Sequence, residues 1–236
     1  MGSGASRAAP LPVSRIARGT LQDQVYRQVC DLILDGHIAP GQTVTLQNLA
    51  DGFGISVMPV REALQRLTAA RALTVVSGRS IGIPHLSTAL LLDLKQVRLE
   101  VEGIAAEWAA ARIGAEQLSR LGAHVETMRE AIREGVPKDF LRANRAFHFA
   151  VYEAAGSEVL MDVIEPLWLR ISPFFNLLHR SGNYTDALAQ HVAVLAALRA
   201  GDAGGARAGI RADIEAAAAV LLRLLPPETA PALASG

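Results

Sequence analysis

"ISVMPVREALQRL" (residues 55–67) carries Val60, Ala63, Leu64 and Leu67 at i, i+3, i+4 and i+7, the spacing of one helix face. Ser56 stands where a side chain caps a first turn, and Pro59 sits inside that turn, where its missing N–H costs little. Opposite the apolar stripe, Met58, Arg61, Gln65 and Thr68 share an outer face, and Val57 is the first residue expected to point outward. Just upstream, "LQNLADGFG" (46–54) places Leu46, Leu49, Ala50 and Phe53 on one face and breaks at Gly54. Residues 46–70 therefore read as helix, tight turn, helix.

The flanks complete a small domain. In "TLQDQVYRQVCDLILDG" (20–36), Leu21, Val25, Val29, Leu32 and Ile33 form one helical face, with Thr20 as cap and Gly36 as terminator. "HIAPGQTV" (37–44) reads as a loop around a Pro-Gly turn. In "ALTVVSGRSIGIPHL" (72–86) the period changes: two β-rich runs flank Ser77-Gly78-Arg79, a hairpin that Pro84 ends. Helix, turn, helix and hairpin make a winged helix-turn-helix, an arrangement that enters DNA grooves.

From Ser87 onward the period is helical, with helices expected over 88–112, 116–134, 138–155, 157–165, 167–179, 185–199 and 203–224. Six or seven helices with short connections pack as a bundle. The fold class is thus mainly α: a flexible arm over 1–19, a winged helix-turn-helix over 20–84, an all-α bundle over 87–225 and a disordered tail over 226–236.

Composition narrows the setting. Of 236 residues 50% are hydrophobic, yet no apolar run reaches the roughly 18 residues of a membrane span. The single cysteine, Cys30, excludes an intrachain disulfide framework and fits a reducing compartment, so a cytoplasmic location without membrane association is expected. Formal net charge is zero, but residues 1–86 hold eight arginines against five acids, an asymmetry that suits phosphate binding by the first part.

With these motifs in place the chain resembles the GntR family of bacterial transcription regulators. "MPVREALQRL" (58–67) is similar to the family's recognition helix and "GQTVTLQNLADGFGIS" (41–56) to the helix and turn before it. The bundle resembles the FadR C-terminal effector domain, on "VRLEVEGIAAEWAA" (97–110), "NRAFHFAVYEAAGSEVL" (144–160) and "QHVAVLAALRAGDAGGA" (190–206). The resemblance implies a homodimer that binds palindromic, double-stranded operator DNA and responds to a small molecule in the bundle.

On that reading Arg61 is the first candidate for base or phosphate contact, since a guanidinium takes guanine O6 and N7 in pairs or clamps a phosphate. Met58 and Gln65 share its face, and Ser56 serves as cap or phosphate donor. Arg66 either braces Glu62 four residues earlier or touches a phosphate. Gly78 and Arg79 would carry the wing tip to the minor groove; the alternative is a turn glycine beside a solvated arginine. Two positions depart from the family pattern: Val57 replaces a base-reading arginine, and Gln47 stands where glutamate or arginine is usual. Valine offers only apolar contact to a thymine methyl, so an operator unlike the common half-site is expected.

In the bundle, Asn144 and His148 are four residues apart and project from one face. Two such side chains form half of a metal site. The resemblance implies an Asp, His, His, His set around a divalent metal; here the corresponding residues are Asn144, His148, His191 and Asp213. Exchanging imidazole for oxygen donors weakens a zinc or nickel site and favours harder ions such as manganese, calcium or magnesium. His148 taken alone reads as a hydrogen-bonded core histidine. Arg98, in "VRLEVE", is marked by the resemblance as a partner for a carboxylate effector, with Glu102 and Asp93 as alternative partners, and Asn176 is a second candidate for the pocket. The function expected is a ligand-responsive regulator, a repressor by preference. A metal-sensing regulator is the alternative. A metal-dependent enzyme fits least, because no nucleophile elbow, P-loop or HExxH accompanies the cluster.

Overall fold

The computed structural model describes residues 21–78, 80–181 and 183–225. The first helix, α1 (Leu21–Leu34), buries Val25, Val29, Cys30, Ile33 and Leu34. Its buried face is rotated from the one read in the sequence: Leu21 is exposed and Leu32 half-buried, while Cys30 and Leu34 point inward. Burial pushes the Cys30 thiol up to about 11, so it is a core residue and not a reactive thiol.

The segment expected to be loop contains a strand. β1 (Thr43–Thr45) pairs antiparallel with β3 (Ser80–Gly82), with Val44 opposite Ile81, and β3 pairs in turn with β2 (Thr74–Ser77). The wing is therefore a three-stranded sheet in the order β1-β3-β2 rather than a bare hairpin. Three residues carry too little alternation to signal a strand, and the pairing that stabilises β1 comes from 35 to 39 residues downstream. Helix α2 (Leu46–Phe53) starts where the Thr45 hydroxyl accepts the Asn48 N–H at 3.1 Å, and it stops at Gly54, whose φ of +67° suits a residue without Cβ. Helix α3 (Val57–Ala69) follows at once and buries Pro59, Val60, Ala63, Leu64 and Leu67.

Helix α4 (Thr88–Ala110) begins behind Ser87, whose hydroxyl accepts the Leu90 N–H. It is followed by α5 (Ala115–Glu134), α6 (Pro137–Ala154), α7 (Glu158–Ile171), a 3-10 segment (Ser172–Ser181), α8 (Asn183–Ala200) and α9 (Ala203–Leu224). The described part of the bundle thus has six α-helices and one 3-10 segment. Pro166 does not divide two helices as expected; α7 runs through it to Ile171. A proline removes one intrahelical hydrogen bond, and burial of Ile164, Trp168, Leu169 and Ile171 around it offsets that loss. The tighter 3-10 winding starts at Ser172-Pro173 instead.

Buried residues from α1 to α9 form one continuous cluster, in which α4 packs on α6, α7 and α9. The winged part joins the bundle through α1, which packs on α7 and the 3-10 segment. No helix among the described residues is long and apolar enough to cross a membrane. The residues read as an N-terminal arm and a C-terminal tail, together with Thr20 and Arg79, lie outside the described residues.

Candidate functional site

Two places bring the singled-out residues together. The first is the outer face of α3. Arg61 and Gln65 are exposed, and with Thr68 of α3 and Val75, Gly78 and Ser80 of the wing they line a groove of about 530 Å³. Arg61 has no hydrogen-bond or ionic partner among the described residues, so its five donors face solvent. Met58 is 61% exposed at the N-terminal end of this face. Ser56 occupies the N-cap position without a side-chain bond to the helix, which leaves its hydroxyl uncommitted.

Two residues, Val57 and Arg66, stand differently from expectation, and Gln47 has a partner on its own helix. Val57 is half-buried and packs on the core, so it is a staple under the start of α3 rather than a fully outward residue. Gln47 is exposed but donates to Asp51 Oδ1 at 2.8 Å along α2. Arg66 neither braces Glu62 nor points into the groove: its Nη1 donates to Asp23 Oδ1 of α1 at 3.0 Å, and its guanidinium lies 3.9 Å above the Tyr26 ring. An i,i+4 glutamate competes poorly with a partner that also offers an aromatic face.

The second place is inside the bundle. His148 of α6 and His191 of α8 are each 1% exposed, and Asp213 of α9 closes the group. His148 Nε2 lies 3.0 Å from His191 Nε2 and 3.3 Å from Asp213 Oδ2. Asn144 is buried one turn before His148 and lines the same cavity. The cavity is also lined by Arg98, Phe140, Trp168, Phe175 and Tyr184, and has about 20 Å³ of free space, room for one water-sized group.

Hydrogen bonding fixes which ring nitrogens carry protons. His191 Nδ1 contacts the Ala187 carbonyl, which only accepts, so Nδ1–H donates and Nε2 of the neutral ring is bare. Tyr152 donates its one O–H to Glu102 Oε2 at 2.5 Å. Toward His148 Nδ1, 2.8 Å away, the same phenol oxygen can only accept, so His148 also has its proton on Nδ1 and a bare Nε2. Two ring lone pairs and a carboxylate oxygen therefore converge. Such a set repels itself unless a cation sits among it, and two imidazoles with a carboxylate are the usual protein ligands of a divalent metal. The trio can hold a divalent ion.

Electrostatics point the same way. Burial holds His191 down at about 4, so it stays neutral and able to ligate near neutral pH. Burial works against the charge on Asp213, but the positive charge of His191, in the acid range where that ring protonates, and that of Arg98 offset it and keep the carboxyl below its ordinary value. Burial, then Glu102, raises the Tyr152 phenol well above its usual range, so its proton stays in place.

Arg98 lines the cavity as expected, but its guanidinium is already held by Glu102, at 2.6 Å through Nε and 3.3 Å through Nη2. It also stacks 5.4 Å from the Trp168 ring. Asn176 is exposed, turned away from the cavity toward the Gly36 carbonyl, and is not a lining residue. The sequence alone singles out neither Trp168 nor Tyr152. The signal for Tyr152 was its place four residues after His148 on the same helix.

The pKa of His191 sets a pH dependence. Its folded value, about 4, lies below the ordinary 6.5, so between these limits the unfolded chain takes up a proton that the folded chain refuses. In metal-free protein, stability should be complete above that window and fall by roughly 1–3 kcal/mol as the pH drops through it. Urea unfolding across the window tests this, and His191→Phe should flatten the slope.

The sequence comparisons agree with this architecture. The pattern of bacterial regulatory proteins of the gntR family matches residues 21–83, and that of the FCD domain matches residues 93–216. The HTH-type transcriptional regulator McbR of Escherichia coli (strain K12) is 31% identical over 176 residues, covering 73% of this chain and 79% of McbR. A probable D-xylose utilization operon transcriptional repressor of Paenarthrobacter nicotinovorans is 27% identical over 188 residues, 80% of this chain and 83% of that protein. The solved structure of E. coli McbR/YncC superposes with a TM-score of 0.81 at 27% identity, covering 87% of this chain and 99% of that one. The chain belongs to the GntR family of bacterial regulatory proteins, in the group whose second domain is an FCD domain, and is a transcriptional regulator rather than an enzyme.

Proposed function

We propose that this regulator is a cytoplasmic homodimer that represses transcription by binding operator DNA, and that a small carboxylate effector, held with a divalent metal in the bundle, changes its DNA affinity. The observation that carries the reading is the buried set of bare acceptors, His148, His191 and Asp213, in the same chain as a winged helix whose outer arginine is uncommitted. Asn144 would add an amide oxygen as fourth ligand, which shifts preference from zinc or nickel toward manganese. The ion, when bound, supplies positive charge at an open coordination position. The Arg98–Glu102 pair is neutral as a unit and Asp213 brings one negative charge. A divalent ion then leaves one positive charge, which a monocarboxylate would neutralise. Trp168 lines the cavity with a buried Nε1–H that has no partner among the described residues, a second donor for an effector oxygen.

For DNA, Arg61 and Gln65 would read base edges, Met58 would offer apolar contact, and the Ser56 hydroxyl and first-turn amides would meet a phosphate. Val57 and Gln47 lack the groups of the family's usual readout, which supports an altered operator. Arg66 belongs to the α1–α3 contact and drops out of the reading set. Support for a dimer comes from α4, where Val97 and Trp108 are exposed with Val101 and Ile104 half-buried between them at helical spacing. The small cavity favours a second reading, in which the ion alone is the signal.

Arg61→Ala should weaken retardation of promoter DNA in a gel by about tenfold or more; unchanged retardation would contradict the role of this face. Metal analysis of the purified protein, followed by operator binding after chelation, separates the two readings. If the ion is the signal, chelation alone switches DNA binding. If it assists a carboxylate, chelation removes only the response to the carboxylate.

A further inference from the structure

Helix α1 stands between the bundle cavity and α3, and the residues that tie it to the bundle are sequence neighbours of cavity residues. On α6, Asn144 and His148 face the cavity. Arg145 faces α1: its Nη2 donates to Asp31 Oδ1 at 2.7 Å and its Nη1 to Asp35 Oδ1 at 2.9 Å. In the 3-10 segment Phe175 and Leu178 line the cavity, and Asn176 between them donates to the Gly36 carbonyl at 3.5 Å. The approach there is close, since a Cβ on Gly36 would stand 2.2 Å from Asn176 Nδ2. Both ties land on the last turn of α1 and the residues that end it. At the other end of α1, Asp23 and Tyr26 hold Arg66 of α3.

Arg145 also acts on a third acid, Glu165. Burial raises the Glu165 carboxyl, Asp162 and Asp31 add to that, and Arg145 opposes it. Without Arg145, Asp31 and Asp35 would lose their cation and Glu165 would lose the charge that opposes Asp162 and Asp31. A tie through two charge-assisted hydrogen bonds, with the side chain 24% exposed, is stiffer than an ordinary surface pair.

We propose that Arg145 is the coupling residue of the regulator: movement of α6 on metal binding at His148 is passed through Arg145 to Asp31 and Asp35, and along α1 to α3. The proposal rests on the metal reading above. Packed interiors transmit small displacements because they cannot absorb them, and helix shifts of about 1–2 Å are the usual currency of such switches. The tie through Asn176 runs parallel and is weaker, being one long bond to a neutral carbonyl.

The test uses the full-length protein and Zn²⁺ alone, with calorimetry for binding and amide hydrogen exchange for the response of α1. In the wild type, Zn²⁺ should change exchange over residues 21–36 by about fivefold or more. Arg145→Gln, and separately Asp31→Asn with Asp35→Asn, should keep Zn²⁺ affinity within about twofold while the α1 response shrinks to less than about twofold, against the coupling expected of a linked site. The two variants cut the tie from opposite sides, so loss of folding in one leaves the other as the test. Zn²⁺ binding with no α1 response in the wild type, or a full response in the folded variants, overturns the coupling role alone. Binding of neither Zn²⁺ nor, in a parallel titration, Mn²⁺ by the wild type overturns the metal reading and the coupling with it.

Discussion

The phenol of Tyr152 decides what the buried site is. It has one proton and gives it to Glu102, so it can only accept from His148, and that acceptance turns the bare nitrogen of His148 toward His191 and Asp213. Glu102 is available for this because Arg98 holds it from the other side, four residues away on α4. Each member of the chain Arg98–Glu102–Tyr152–His148 is at least 95% buried, so each bond is formed where a missing partner would be costly. The network is thus an orienting shell for the metal ligands, drawn from α4 and α6, while α8 and α9 supply the ligands that meet His148.

This arrangement changes what Arg98 does. An arginine facing a pocket suggests an anchor for an anion, yet its strongest partner is internal. Its charge is balanced before any ligand arrives, and its contribution to recognition is through its remaining N–H groups and its stacking on Trp168. The cavity beside it is small and its walls are aromatic. A ligand larger than a water must therefore move those walls, and three of the moving parts touch α1: α6 through Arg145, the 3-10 segment through Asn176, and α7 by packing.

Most of the fold was legible in the sequence because its signals are local. Val60, Ala63, Leu64 and Leu67 mark the buried face of α3 without help from elsewhere, and Gly54 marks the turn before it. What escaped depends on partners distant in the chain. β1 exists because β3 pairs with it, and Arg66 turned to Asp23, 43 residues away, rather than to Glu62 one turn away. Pro166 was read as a break because the local rule says so, whereas the buried residues on either side of it carry α7 through. At the site, His148, His191 and Asp213 were found as a set through the family pattern. The proton bookkeeping that gives the set its meaning needed Tyr152 and the Ala187 carbonyl, and a backbone oxygen leaves no mark in a sequence. Asn176 failed as a pocket residue because the 3-10 winding turns it outward between two neighbours that point in.

The central claim is that this network presents two bare imidazole nitrogens to one ion. Long-range proton–nitrogen correlation spectra of the zinc-titrated protein, with ¹⁵N in the histidine rings, read the state of each nitrogen directly. The account predicts protonated Nδ1 and metal-shifted Nε2 on both His148 and His191. A proton on Nε2 of either ring, or zinc at Nδ1, would contradict it.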